Sequence, residues 1–159
     1  MNSRLDVQKL SPNLYNTLFA LEKQLGQASL EKSLADLVKI RVSQLNGCLF
    51  CLDMHSKEAR KHGERELRLY HLPLWRESEL FSEKERAGLE YAERLTRLDG
   101  HGVEDADFQR LAAHFTEQEM SELTVQIGAI NLWNRLGVAR RSPAGELDKL
   151  MGLDKVALN

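Results

Sequence analysis

From Ser11 onward the chain is punctuated as a succession of helices, and that punctuation leaves little room for any other fold class. Ser11-Pro12 supplies a cap followed by proline at a first helical position, and Leu14, Leu18, Leu21 and Leu25 then recur at helical spacing until Gly26. Ser29 can cap a second helix that carries Leu30, Leu34, Leu37, Val38, Arg41 and Leu45 and stops at Asn46-Gly47. A third starts at or near Cys48 and runs to Gly63, with Lys61 and His62 in its last turn, where cations suit the helix dipole. Pro73 breaks a short helix over about Arg65 to Leu72. Two capping boxes, Ser82-Glu-Lys-Glu85 and Thr116-Glu-Gln-Glu119, open helices expected to reach Leu98 and about Leu136. Between them, Asp99-Gly-His-Gly102 is a turn before a helix from about Glu104 to Phe115, and Ser142-Pro143 starts a small terminal helix. Alternation of period two is nearly absent. The expectation is an all-α, multihelical bundle of about seven or eight helices with no sheet.

A chain of 159 residues fits one domain, 1–159, with its core over about 12–138. A domain of that size buries roughly 70% of the surface of its unfolded chain and needs no covalent staple. Its 22 basic and 24 acidic residues are interspersed, so no basic stripe invites nucleic acid. No apolar run approaches the roughly 20 residues that span a bilayer, so no membrane partner is expected. The start, MNSRLDVQKL, has no apolar signal region, which makes the cytoplasm the expected location.

The two cysteines, Cys48 and Cys51, carry the chemistry. A bridge between them closes so small a loop that it removes little entropy from the unfolded chain, which argues against a staple. Redox chemistry or metal binding remain. On a helix, Cys48, Cys51 and His55 fall within an arc of roughly 60°, so two thiols and an imidazole share one face. The start of a helix stabilises anions through its unpaired N–H groups. Lowering a thiol pKa from about 8.5 to about 6 raises its thiolate fraction at neutral pH about thirtyfold. His55 can take the thiol proton and return it to a leaving group. Asp36 precedes Cys48 by one helix length, and if Asn46-Gly47 folds the two helices antiparallel it can lie near the pair and orient His55.

These residues also carry a resemblance. The run Leu37-Val-Lys-Ile-Arg-Val-Ser-Gln-Leu-Asn-Gly-Cys48-Leu-Phe-Cys51-Leu-Asp-Met-His55, with Ala129-Ile-Asn-Leu-Trp-Asn-Arg135, resembles the alkylhydroperoxidase D-like (AhpD-like) proteins of the carboxymuconolactone decarboxylase superfamily. The similarity extends from about Pro12 to Val138. It implies an all-α fold, a homo-oligomer (trimer or hexamer) and a thiol-dependent peroxidase that reduces hydroperoxides. By the resemblance Cys51 is the peroxidatic cysteine, Cys48 the resolving one, His55 the proton relay and Asp36 the relay carboxylate. The spacing alone leans towards Cys48 as the nucleophile, since it is nearer the helix start. An external dithiol, lipoyl-bearing or thioredoxin-like, is the implied reductant, and no cofactor or metal is called for. Two positions depart from the family's pattern: Asp36 stands where a Glu is usual, and Phe50 where characterised peroxidases carry a histidine. Because the decarboxylases that name the superfamily lack the cysteine pair, lactone decarboxylation is not expected.

Three other readings compete. The dithiol can serve a non-catalytic oligomeric redox sensor, the same centre can act as a general disulfide reductase, or the thiols and His55 can bind zinc with Asp36 or His62. His62 is expected to stabilise a helix C-terminus, and His71, His101 and His114 to occupy surface or turn positions. Trp75 and Trp133 read as core or subunit-contact anchors. Asn131 and Asn134 need hydrogen-bond partners if buried and are expected in an intersubunit network. Arg41 can pair with a carboxylate.

Overall fold

The computed structural model describes residues 4–100 and 102–156. Among them lie nine α-helices, one 3₁₀ segment and no strand. The helices are α1 (Val7–Leu10), α2 (Pro12–Leu25), α3 (Lys32–Asn46), α4 (Leu49–Lys61) and α5 (Glu66–His71), then, after the 3₁₀ turn Leu72–Glu77, α6 (Glu83–Thr96), α7 (Asp105–Ala112), α8 (Glu117–Arg140) and α9 (Asp148–Met151). Both capping boxes form, with Ser82 and Thr116 accepting from the backbone of Glu85 and Glu119 and each Glu reaching back. No helix among the described residues is long and apolar enough to cross a membrane.

α3 is the axis of the bundle. One of its faces, Leu34, Val38 and Val42, packs with Tyr91 and Ala92 of α6, Leu111 of α7 and Leu123, Ile127 and Ile130 of α8. Another, Leu37 and Ile40, packs with Ala59 of α4, Leu72, Trp75, Phe81 and Leu89. α8 continues to Arg140, beyond the expected end near Leu136, and stops where Arg141 turns left-handed at φ +58°. The start of α3 differs from the sequence expectation. Ser29 does not cap it; the Ser29 backbone N–H and hydroxyl both donate to Glu122, and the helix begins at Lys32. A carboxylate one helix away competes successfully for the donors a local cap would have used.

The chain after Arg140 folds back over α4. Lys57 bridges Asp53 and Asp148 at 2.7 Å each, the Gly145 N–H donates to Asp53, and Leu153 is buried. Packing therefore extends past residue 138. α2 is different: it is helical as its leucine spacing predicts, yet none of its residues is buried, and Leu14 and Phe19 are 69% and 50% exposed.

Candidate active site

The α3–α4 connection builds the site. Gly47 adopts φ +65° and its N–H bonds to the Gln44 carbonyl, while the Cys48 N–H bonds to that of Ser43. This doubly bonded ending needs a left-handed residue, which only glycine supplies without strain. Cys48, the residue that completes the ending, is also the N-cap of α4, where its Sγ accepts from the Cys51 N–H at 3.3 Å. The turn is tethered to α8. Asn46 donates to Asn131 and Asn134, Asn134 donates to Ser43, and Asn131 donates to Thr96. The expected intersubunit network of Asn131 and Asn134 is thus closed within the chain, because α3 and α8 pack side by side.

Cys48 and Cys51 are joined as a disulfide and are each only 2% exposed. α8 covers them at Gly137. A Cβ on that residue would stand 2.9 Å from Cys48 Sγ, 3.3 Å from Cys51 Sγ and 3.8 Å from the Phe50 ring. Leu49, between the two cysteines, and Val138, next to Gly137, are 66% and 50% exposed.

His55 lies one turn beyond Cys51 and is buried. Its Nδ1 is 2.6 Å from Glu58 Oε2. Asp36, the expected partner, does not contact His55. Its carboxylate is 2.5 Å from His62 Nδ1 and 2.9 Å from Lys39 Nζ. The reason is register: with α3 and α4 antiparallel, Asp36 is level with the C-terminal cap of α4, and Lys39 is the residue opposite Glu58, at 3.7 Å. Burial alone would raise the Glu58 pKa, but the hydrogen bond from His55 and the charges of His55, Lys39 and His62 outweigh it and bring it to about 2. Burial works against the Lys39 ammonium, and the carboxylates of Asp36 and Glu58 overcome it and raise its pKa.

The remaining expected residues fall elsewhere. His62 caps α4 and lines a cleft of about 410 Å³ with Lys32, Ser33, Arg65 and Arg68, away from the sulfurs. His71 contacts Ser78, His114 is exposed, and His101 lies outside the described residues. Trp75 is core, and its indole donates to Glu93, which also binds Arg41 and Arg76. Trp133 packs edge-on to Tyr15 and Phe19 and donates to Glu22. Among the described residues no three His, Cys, Asp or Glu side chains are grouped to hold a metal ion. The donors weighed for zinc are spread along α4, the cysteines at its N-terminus, His55 at its middle and His62 with Asp36 at its C-terminal cap.

Glu58, Lys39 and Gly137 were not singled out from sequence. Glu58 was signalled by its i, i+3 spacing from His55, which places both on one helix face. Gly137 was signalled by its cost, since glycine inside a helix loses about 1 kcal/mol against alanine and so asks for a packing reason.

The carboxymuconolactone decarboxylase family matches residues 12–94. The uncharacterized protein YdfG of Bacillus subtilis (strain 168) is 38% identical over 139 residues, spanning 87% of this chain and 95% of its own. ATU0492 of Agrobacterium tumefaciens, a protein of unknown function whose name ties it to AhpD-type antioxidant defence, superposes with a TM-score of 0.86 at 40% identity, over 90% of this chain and 98% of that one. An uncharacterized peroxidase-related protein with an AhpD core, from Ralstonia eutropha JMP134, shares the fold at a TM-score of 0.78 and 21% identity, over 92% of this chain and 78% of that one.

Proposed function

Given that this chain belongs to the carboxymuconolactone decarboxylase family, as an AhpD-like member of it, we propose that it is a thiol-dependent peroxidase that reduces hydroperoxides through the Cys48–Cys51 pair. The observation that carries the reading is the placement of both sulfurs at the N-terminus of α4, one accepting a backbone N–H, with a buried imidazole one turn on. Such a place favours thiolate over thiol.

In the cycle, the Cys51 thiolate attacks the O–O bond of a hydroperoxide. The alcohol leaves with a proton from His55, and Cys51 becomes a sulfenic acid. Cys48 then displaces water from that sulfur and forms the disulfide. An external dithiol, lipoyl-bearing or thioredoxin-like, reduces the bridge and becomes a disulfide itself. Attack of that dithiol on Cys51 releases Cys48 as thiolate, the sulfur to which the helix cap already donates. Asp36 enters only through Lys39.

The exposed apolar side chains of α2 are consistent with contact between copies, and we assign the chain to a homo-oligomer, trimeric or hexameric. A dithiol-driven cycle also suits the cytoplasm, where disulfides are transient.

Turnover of a panel of hydroperoxides with thioredoxin-type and lipoyl-type donors, side by side, tests the proposal. Consumption of one donor dithiol per hydroperoxide, lost on removal of Cys51, is the expected result. A protein that exchanges disulfides with those donors but leaves hydroperoxides intact would instead be a general disulfide reductase. One that cycles with neither would be a sensor.

A further inference from the structure

We infer that Glu58 is the positioning residue of this centre: by accepting the Nδ1–H of His55 it fixes which imidazole nitrogen exchanges protons with the sulfurs. The inference rests on the reading of His55 as a proton relay and adds a residue that neither sequence spacing nor family likeness assigned.

A neutral imidazole has two tautomers, and the hydrogen bond at one nitrogen decides the state of the other. Glu58 Oε2 lies 2.6 Å from His55 Nδ1, and the two side chains are only 18% and 9% exposed, so water competes weakly for either. An ionised carboxylate can only accept. Glu58 is held ionised by His55 on its own helix and by Lys39 across on α3, with the more distant His62 adding to the same effect. Nδ1 therefore keeps its proton whether the ring is neutral or charged, and Nε2 alone gains and loses one. A ring held this way can accept a thiol proton at Nε2 and deliver it to a departing alkoxide without rotating. This is the logic by which a third group orients the base of a nucleophile–base pair.

Lys39 keeps the arrangement in place. Its ammonium is 2.9 Å from Asp36 Oδ1 and 3.7 Å from Glu58 Oε2, and Asp36 is itself tied to His62. Asp36 thus anchors the cation that faces Glu58, while the carboxylate in contact with the relay is Glu58.

Glu58→Gln keeps the shape and removes the charge, and its amide can donate to Nδ1 as readily as accept from it. Nitrogen-15 NMR of His55 in the disulfide form at alkaline pH reads the tautomer directly. The wild type is expected to show the Nδ1–H form and Glu58→Gln a mixture or the Nε2–H form. In the same proteins, oxidation by hydroperoxide and thiol–disulfide exchange with dithiothreitol should each fall roughly 10- to 100-fold in Glu58→Gln, short of the roughly 10²- to 10⁴-fold that a proton-transfer group supplies, because His55 itself remains. Melting temperatures show whether the variant remains folded. An unchanged tautomer, or rates of both reactions equal to wild type, overturns the role of Glu58. If the wild type is inert to hydroperoxides, the peroxidase reading fails alone, because tautomer and dithiothreitol exchange still decide the inference.

Discussion

The Cβ that Gly137 lacks would lie 2.9 Å from the Sγ of Cys48, closer than carbon and sulfur approach without something moving. That sulfur is bonded to Cys51 and held by a helix cap, so it is not the loose end of a flexible side chain. In an open helix, Gly→Ala would gain about 1 kcal/mol. Here the overlap should reverse the sign, since overpacking a filled site costs about 1–3 kcal/mol. Gly137→Ala is therefore expected to lower the melting temperature of the oxidised protein, by more than that of the reduced protein. Calorimetry of both forms checks it.

Cys51→Ser should abolish hydroperoxide reduction. Cys48→Ser should leave a sulfenic acid on Cys51 that dimedone traps, since no thiol remains to condense with it. Mass mapping of the adduct in each single variant checks this, and a trap on Cys48 in Cys51→Ser would exchange the two roles.

Glu58 gives a signed pH dependence. Its folded pKa of about 2 lies below the ordinary 4.5, so its contribution to stability is complete above the unfolded value and is lost as pH falls from about 4.5 through about 2. The full difference amounts to at most about 3 kcal/mol. Denaturant titrations over that range should show wild-type stability falling steeply with acid and Glu58→Gln falling less. The other lowered carboxylates, Glu85, Glu93, Glu119 and Glu122, are retained in both proteins and cancel in the comparison.

Asp36→Asn removes the carboxylate charge that faces His62 and Lys39 but leaves the His55–Glu58 contact in place. Hydroperoxide-driven oxidation by this variant should stay within about threefold of wild type, measured by rapid mixing, because proton transfer through His55 is left intact. A loss as large as that of Glu58→Gln would return the relay role to Asp36.

The apolar side chains of α2 should matter for assembly. Leu14→Glu places a charge on a residue that is 69% exposed in the single chain, where it costs little in folding. A smaller particle by light scattering, with helicity unchanged, is the expected outcome.

Local signals made the helices legible. The two capping boxes, the Pro12 start and the Gly47 stop each act within a few residues and formed as read, although the Ser11 side chain makes no capping hydrogen bond to α2. What sequence missed depends on contacts between distant segments. Ser29 was drawn from its cap by Glu122, which no local rule foresees. Asn131 and Asn134 found partners on α3 and α6 instead of in another subunit. At the site, the spacing that puts Cys51 and His55 on one face is intrinsic to a helix and needed only the helix to exist, whereas Cys48 joins them from the extended N-cap position of α4. The pairing of Asp36 depended on the register of two helices across a turn, which spacing along the chain leaves open by a turn or more. That is enough to exchange His55 for His62 as its partner.

Rapid mixing of fully reduced protein with hydrogen peroxide and with an organic hydroperoxide, quenched and mapped by mass, tests the redox assignment most directly. The expected result is one Cys48–Cys51 disulfide and one alcohol or water per hydroperoxide consumed, at a rate far above that of free cysteine and dependent on His55. Oxidation no faster than free cysteine, or unaffected by His55→Ala, would contradict it.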